Sequence, residues 1–295
     1  MSFAQTVALG ALAGLTIFLG LPVGRMKLLG SRARVALAMF AVGVLAFIFV
    51  DVLSHGLSIV NDAVSALRDH HQSFAYVAWL VILLAVGFGA GSAGLATLQR
   101  RLRPLGARRP PIAGGAEVAV AGVDVEVAVA GVDVDAVAAE MDAARRRALR
   151  TGLTIAAAIG VHNFAEGLAI GVSARAGAIS LATVLIVGFA LHNATEGFGI
   201  VGPLGDVTPS WRWLGLAGLI GGGPTFLGSI VGYEVTSHAL ELAFYAMAGG
   251  AILFVIGEVW NGMRRYGYRE LELAMLTAGF VIGVLTDLVV AYGGG

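Results

Sequence analysis

The chain has 295 residues, 58% of them hydrophobic and only 13% charged, and its 19 basic residues balance 19 acidic ones. A soluble domain carries about 25% charged residues, so this chain cannot cover its own surface with polar groups and must use a bilayer as part of its solvent. A soluble enzyme and a disordered tail are excluded, the lack of cysteine excludes thiolate metal sites, thioether-bound haem and disulfides, and the zero net charge gives no reason to expect a nucleic-acid partner.

Apolar runs of about 18 or more residues read as membrane helices. In chain order they cover 5–24, 35–55, 73–98, 151–173, 179–201, 211–233, 240–260 and 271–291. The first has no basic residue ahead of it, so it does not read as a cleaved signal peptide. The predicted fold is all-α, an eight-helix polytopic membrane bundle. It divides into helices 1–3 over 1–99, a loop over 100–150, and helices 4–8 over 151–295.

Basic residues orient the bundle. Arg25, Lys27, Arg32 and Arg34 lie between helices 1 and 2, and nine arginines from Arg100 to Arg150 lie between helices 3 and 4. Arg212 lies between helices 5 and 6, and Arg264, Arg265 and Arg269 between helices 7 and 8. The opposite face holds only Arg68 and Arg175. This split predicts a multi-pass protein of the plasma membrane with both termini extracytoplasmic.

The 100–150 loop contains EVAVAGVDV twice in tandem, at 117–125 and 126–134. The repeat is apolar to the eye but carries Glu117, Asp124, Glu126 and Asp133, and Asp135 follows it. Insertion into a bilayer would cost about 2.5–3.5 kcal/mol for each such charge, so the segment is expected in the cytoplasm. Its valine alternation suits a short strand pair, and Pro104, Pro110 and Pro111 suit a flexible linker.

Ionisable residues inside membrane helices are costly and point to function. Helix 4 carries His162-Asn163-Phe164-Ala165-Glu166-Gly167, and helix 5 carries His192-Asn193-Ala194-Thr195-Glu196-Gly197. Both are H-N-x-x-E-G, and both lie near the middle of their spans on antiparallel neighbours. At about 100° per residue, the His and Glu of each motif fall within about 40° of one another on one helix face, one turn apart. Two such faces offer two imidazoles, two carboxylates and two amides, a set suited to Zn²⁺, Fe²⁺, Mn²⁺, Co²⁺, Ni²⁺ or Cd²⁺. Asp51 and His55 on helix 2 and Glu258 on helix 7 are candidates for an ion path.

Two other uses of the paired histidines stay open. A metalloprotease would need H-E-x-x-H, which is absent. A b-type haem protein would use His162 and His192 as axial ligands, with carboxylates as poor neighbours. The alternative function is therefore an intramembrane metalloenzyme or haem redox protein built on the same cluster. A polar-zippered bundle that holds no metal is the third reading.

The two H-N-x-x-E-G motifs, the eight spans and the long loop between helices 3 and 4 together resemble the ZIP (Zrt/Irt-like protein) family of divalent-metal transporters. The resemblance covers the chain outside 100–150. It implies a bundle in which helices 1–3 and 6–8 are related by inverted pseudo-symmetry around helices 4 and 5. It places His162, Glu166, His192 and Glu196 at a primary metal site, with Asn163 and Asn193 at a neighbouring second position. The family pattern has proline before the glutamate, where this chain has Ala165 and Thr195. On helix 6, Gly223 precedes Pro224 where the family commonly has glutamate, so a carboxylate for a second ion is missing. The loop, usually rich in histidine, has none. The implied activity is import of divalent metal ions, zinc first and iron or manganese as alternatives. The bilayer is a partner, and a small-residue face would permit a homodimer.

Overall fold

The computed structural model describes residues 1–26, 30–101, 134–175, 190, 192–234 and 237–292, with no side-chain description for 134–137 and 290. Among these residues every regular element is helical. Helix α1 covers Phe3–Arg25, α2 Ser31–Arg68, α3 Phe74–Arg101, α4 Val134–Arg175, α6 Trp211–Glu234, α7 His238–Arg264 and α8 Arg269–Tyr292. Seven of these are long and apolar enough to cross a membrane. The remaining expected span falls largely outside the described residues; its last part, 192–201, is helical and forms α5. The tandem repeat, apart from Val134, also lies outside them.

Several helices depart from straight α-geometry. Ser2 caps α1 through a capping box with Gln5. The helix then breaks at Thr16, whose hydroxyl donates to the Ala13 carbonyl at 2.6 Å, a back-bond that competes with the helix ladder. A π-turn, Ala90–Gly94, interrupts α3. Helix α4 begins at Val134, well before the predicted 151, and is 42 residues long. Hydropathy does not register its first turns because they carry Glu140, Asp142, Arg145, Arg146, Arg147 and Arg150; Asp142 and Arg146 form an i, i+4 ion pair at 3.7 Å.

Apolar tails offer no hydrophobic drive for helices to associate, so membrane helices adhere by close backbone approach at small residues. Along α4, Gly160 faces the Ile220 carbonyl, Gly167 the Thr225 carbonyl and Gly171 the backbone of Ser229 and Tyr233. Helix α6 answers with Gly228 against the Phe164 carbonyl and Gly232 against Leu168. Gly14 of α1 meets Gly222 of α6, and Gly20 meets Gly197 of α5. A second set joins Gly43 of α2 to Gly279 of α8, and Gly91 of α3 to Met247 of α7. The two sets touch where α4 crosses α7, with Phe164 and Phe244 ring centroids 4.6 Å apart.

One end of the bundle gathers the basic loops. Arg25 donates to the Pro209 carbonyl and lies over the Trp211 ring at 4.9 Å. Arg34 pairs with Asp206 at 2.9 Å. At the other end, Arg175 donates to the Tyr233 carbonyl at 2.7 Å, and the Tyr233 hydroxyl reaches the Met1 carbonyl at 3.4 Å. The Arg34–Asp206 pair should contribute little, because the Asp206 side chain is 95% exposed. Asp206→Asn is expected to shift stability by less than about 1 kcal/mol, read as a near-unchanged melting temperature in detergent.

Candidate metal centre

The two glycine-flanked motifs meet where α4, α5 and α6 are closest. His162, Asn163, Glu166, Asn193 and Glu196 are all buried, and the His192 side chain is 13% exposed. His162 Nε2 lies 2.8 Å from Glu166 Oε1 and 3.6 Å from Glu196 Oε1. His192 Nε2 makes a short hydrogen bond to the same Glu166 oxygen. The two imidazoles have centroids 6.1 Å apart and planes tilted by 33°. Glu166 thus stands between two rings, one from its own helix and one from its neighbour. One ligand atom each from His162, Glu166 and His192 lies within 4.8 Å of the others.

The electrostatics suit a cation. Among the described residues, several buried polar atoms here have no hydrogen-bond partner: His162 Nδ1, Glu166 Oε2, Glu196 Oε1, Asn163 Oδ1 and Asn193 Oδ1. Each orphaned polar atom costs about 1–3 kcal/mol in a packed interior. So many within two helical motifs mark a place built for something other than its own side chains. Two imidazoles and two carboxylates are the N/O set that borderline divalent cations prefer.

The amides are tied outward. Asn163 Nδ2 donates to Glu196 Oε2 at 3.1 Å and to the Gly221 carbonyl at 3.0 Å. Asn193 Nδ2 donates to the Ala13 carbonyl at 3.1 Å. These two carbonyls are site components that pattern reading missed, since a backbone oxygen leaves no residue signature. The flanking signals were a glycine run, Gly221-Gly222-Gly223, and the Thr16 break.

The remaining candidates are not among the three residues whose ligand atoms converge, although Asp51 lies within electrostatic reach of His162, Glu166 and His192. His55 Nδ1 sits 3.0 Å from the Asp51 carbonyl and 3.5 Å from its carboxylate, with both side chains partly exposed and the His55 ring 5.9 Å from that of Tyr245. Glu258 accepts a hydrogen bond from Gln99 Nε2 at 2.9 Å, linking α7 to the far end of α3.

A polytopic helical bundle with a buried His-His-Glu cluster between two antiparallel helices has the features of an integral membrane protein that handles metal ions. The ZIP zinc transporter family model matches residues 134–285, and the chain belongs to that family. Among curated proteins it is 33% identical over 146 residues to the zinc transporter ZupT of Clostridium perfringens (strain 13 / Type A). The match covers 48% of this chain and 51% of that relative, so it spans about half of each.

Proposed function

We propose that this protein imports divalent transition-metal ions into the cytoplasm, with zinc the first candidate and iron or manganese the alternatives. The observation that carries the proposal is the convergence of His162, Glu166 and His192 ligand atoms within 4.8 Å in a buried setting. Family membership and the ZupT relative support zinc as the cargo. A dehydrated ion would exchange its water shell for His162, Glu166, His192 and Glu196, with Asn163 and Asn193 alongside. The two carboxylates match its charge, and neutral imidazoles bind it, so acid weakens the complex.

The positive-inside distribution supports extracytoplasmic termini in a plasma-membrane protein. The ion would enter past Asp51 and His55 and leave past Glu258. Alternating access would move the α1, α4, α5 and α6 group against the α2, α3, α7 and α8 group, within the inverted-repeat arrangement that the resemblance implies. A homodimer is consistent with the small-residue helix faces. The haem alternative is disfavoured because Glu166 fills the space between the two imidazoles that a haem would need.

The test is flux. Purified protein in liposomes containing a zinc-responsive dye is expected to show saturable Zn²⁺ uptake, with iron and manganese assayed in parallel, and His162→Ala should reduce uptake to the level of empty liposomes. Equal uptake by wild type and variant would remove His162 from the path. No uptake of any divalent metal by the wild type would overturn the reading.

A further inference from the structure

We infer that Asn163 and Asn193 act through their Nδ2 groups as positioning residues of a site that holds a single ion; the inference rests on the metal-transport reading above. A backbone carbonyl can only accept a hydrogen bond. Because Asn163 faces the Gly221 carbonyl and Asn193 the Ala13 carbonyl, each amide must turn its NH₂ group that way. The opposite flip would set two oxygen lone pairs together in a buried site.

Asn163 has two N–H donors and uses both. One anchors it to Gly221 on α6, and the other holds Glu196 Oε2 on α5. Glu196 is thereby fixed by one oxygen, while its other oxygen, Oε1, lacks a hydrogen-bond partner and lies 3.6 Å from His162 Nε2. The amide aims a monodentate ligand at the ion. Asn193 plays the matching part for α5, tethering it to the Ala13 carbonyl at the α1 break, where the Thr16 hydroxyl also donates.

Charge limits the occupancy. With neutral imidazoles, Glu166 and Glu196 supply two negative charges, enough for one divalent ion. A second ion would leave two uncompensated positive charges in a low-dielectric interior, where an unpaired charge is strongly disfavoured. By the family resemblance, the α6 position that would add a carboxylate is held here by Gly223, which offers no side chain.

Asparagine-to-aspartate exchange keeps a side-chain oxygen, loses both N–H donors and brings the site to three negative charges, still one short of the four that two divalent ions need. The experiment titrates the full-length protein with Co²⁺, following the visible d–d band and the bound metal by elemental analysis. Wild type is expected to bind one Co²⁺ per chain. Asn163→Asp and, independently, Asn193→Asp should keep that stoichiometry, change the band shape, and weaken binding ten- to a hundredfold, the loss typical of groups that orient ligands. Zinc uptake should show the same rise in KM. Binding in Asn163→Asp as tight as wild type would overturn the inference. So would two ions in the wild type, one of them lost in Asn163→Ala, and that outcome leaves the transport site itself intact. An unaltered Co²⁺ band in His162→Ala would instead remove the transport site, and the inference with it.

Discussion

Glu166→Ala is expected to lower zinc uptake in liposomes by a factor of about a hundred or more while leaving a folded protein. The size follows from where the side chain stands. Its Oε1 is shared between His162 Nε2 at 2.8 Å and His192 Nε2, so it touches both imidazoles. Loss of groups that merely orient a ligand costs ten- to a hundredfold in metal affinity, and Glu166 also supplies half of the negative charge opposite the ion. Glu166→Gln keeps the volume and removes the charge, so it should fail nearly as badly, which separates charge from shape. Dye-reported uptake above a tenth of wild type in both variants would take Glu166 out of the ligand set.

The second large effect is structural. Gly167→Val should abolish recovery of folded monodisperse protein, because a Cβ at 167 would collide with the Thr225 carbonyl and come within 2.8 Å of Ser229 N and 2.9 Å of Gly228 Cα. All of these are backbone atoms of α6, so no side chain can rotate away, and α4 and α6 must part. Overpacking of even a tolerant core costs about 1–3 kcal/mol; here the seam also carries the residue next to Glu166. Gly223→Ala is the control. Its Cβ would meet nothing within 4 Å, and its melting temperature should stay close to wild type, as for other unconstrained sites within about 0.5 kcal/mol. Size-exclusion profiles and thermal melts in detergent read both variants, and a wild-type profile for Gly167→Val would contradict the packing described.

The spans could be read from the sequence because a 30 Å hydrocarbon layer demands long apolar runs, and α6, α7 and α8 start and stop within a few residues of expectation. The pairing of His162 with Glu166 was legible from spacing alone, whereas the same spacing at 192 and 196 did not foretell that Glu196 lies by His162 and Asn163. The hydrogen bond from His192 to Glu166 was not legible either, because it depends on the rotation of one helix against another. The amide partners at Ala13 and Gly221 were hidden for a related reason: each is a backbone atom brought in by a helix remote in sequence. The early start of α4 escaped because hydropathy tracks burial in lipid, and residues 138–150 are helical without being apolar. Asp51, His55 and Glu258 show the converse limit, since polarity within a span does not tell which side chains converge with His162, Glu166 and His192.

The length of α4 has a mechanical consequence. At 1.5 Å per residue its 42 residues reach about 63 Å, roughly twice the hydrocarbon thickness. The same unbroken rod that holds His162 and Glu166 therefore stands several turns clear of the membrane, with Met141 69% exposed on it. A tilt of a few degrees at His162 and Glu166 is magnified at the far end of the helix, as at the tip of a tiller. A spectroscopic label on that tip would register motion of His162 and Glu166 without touching them.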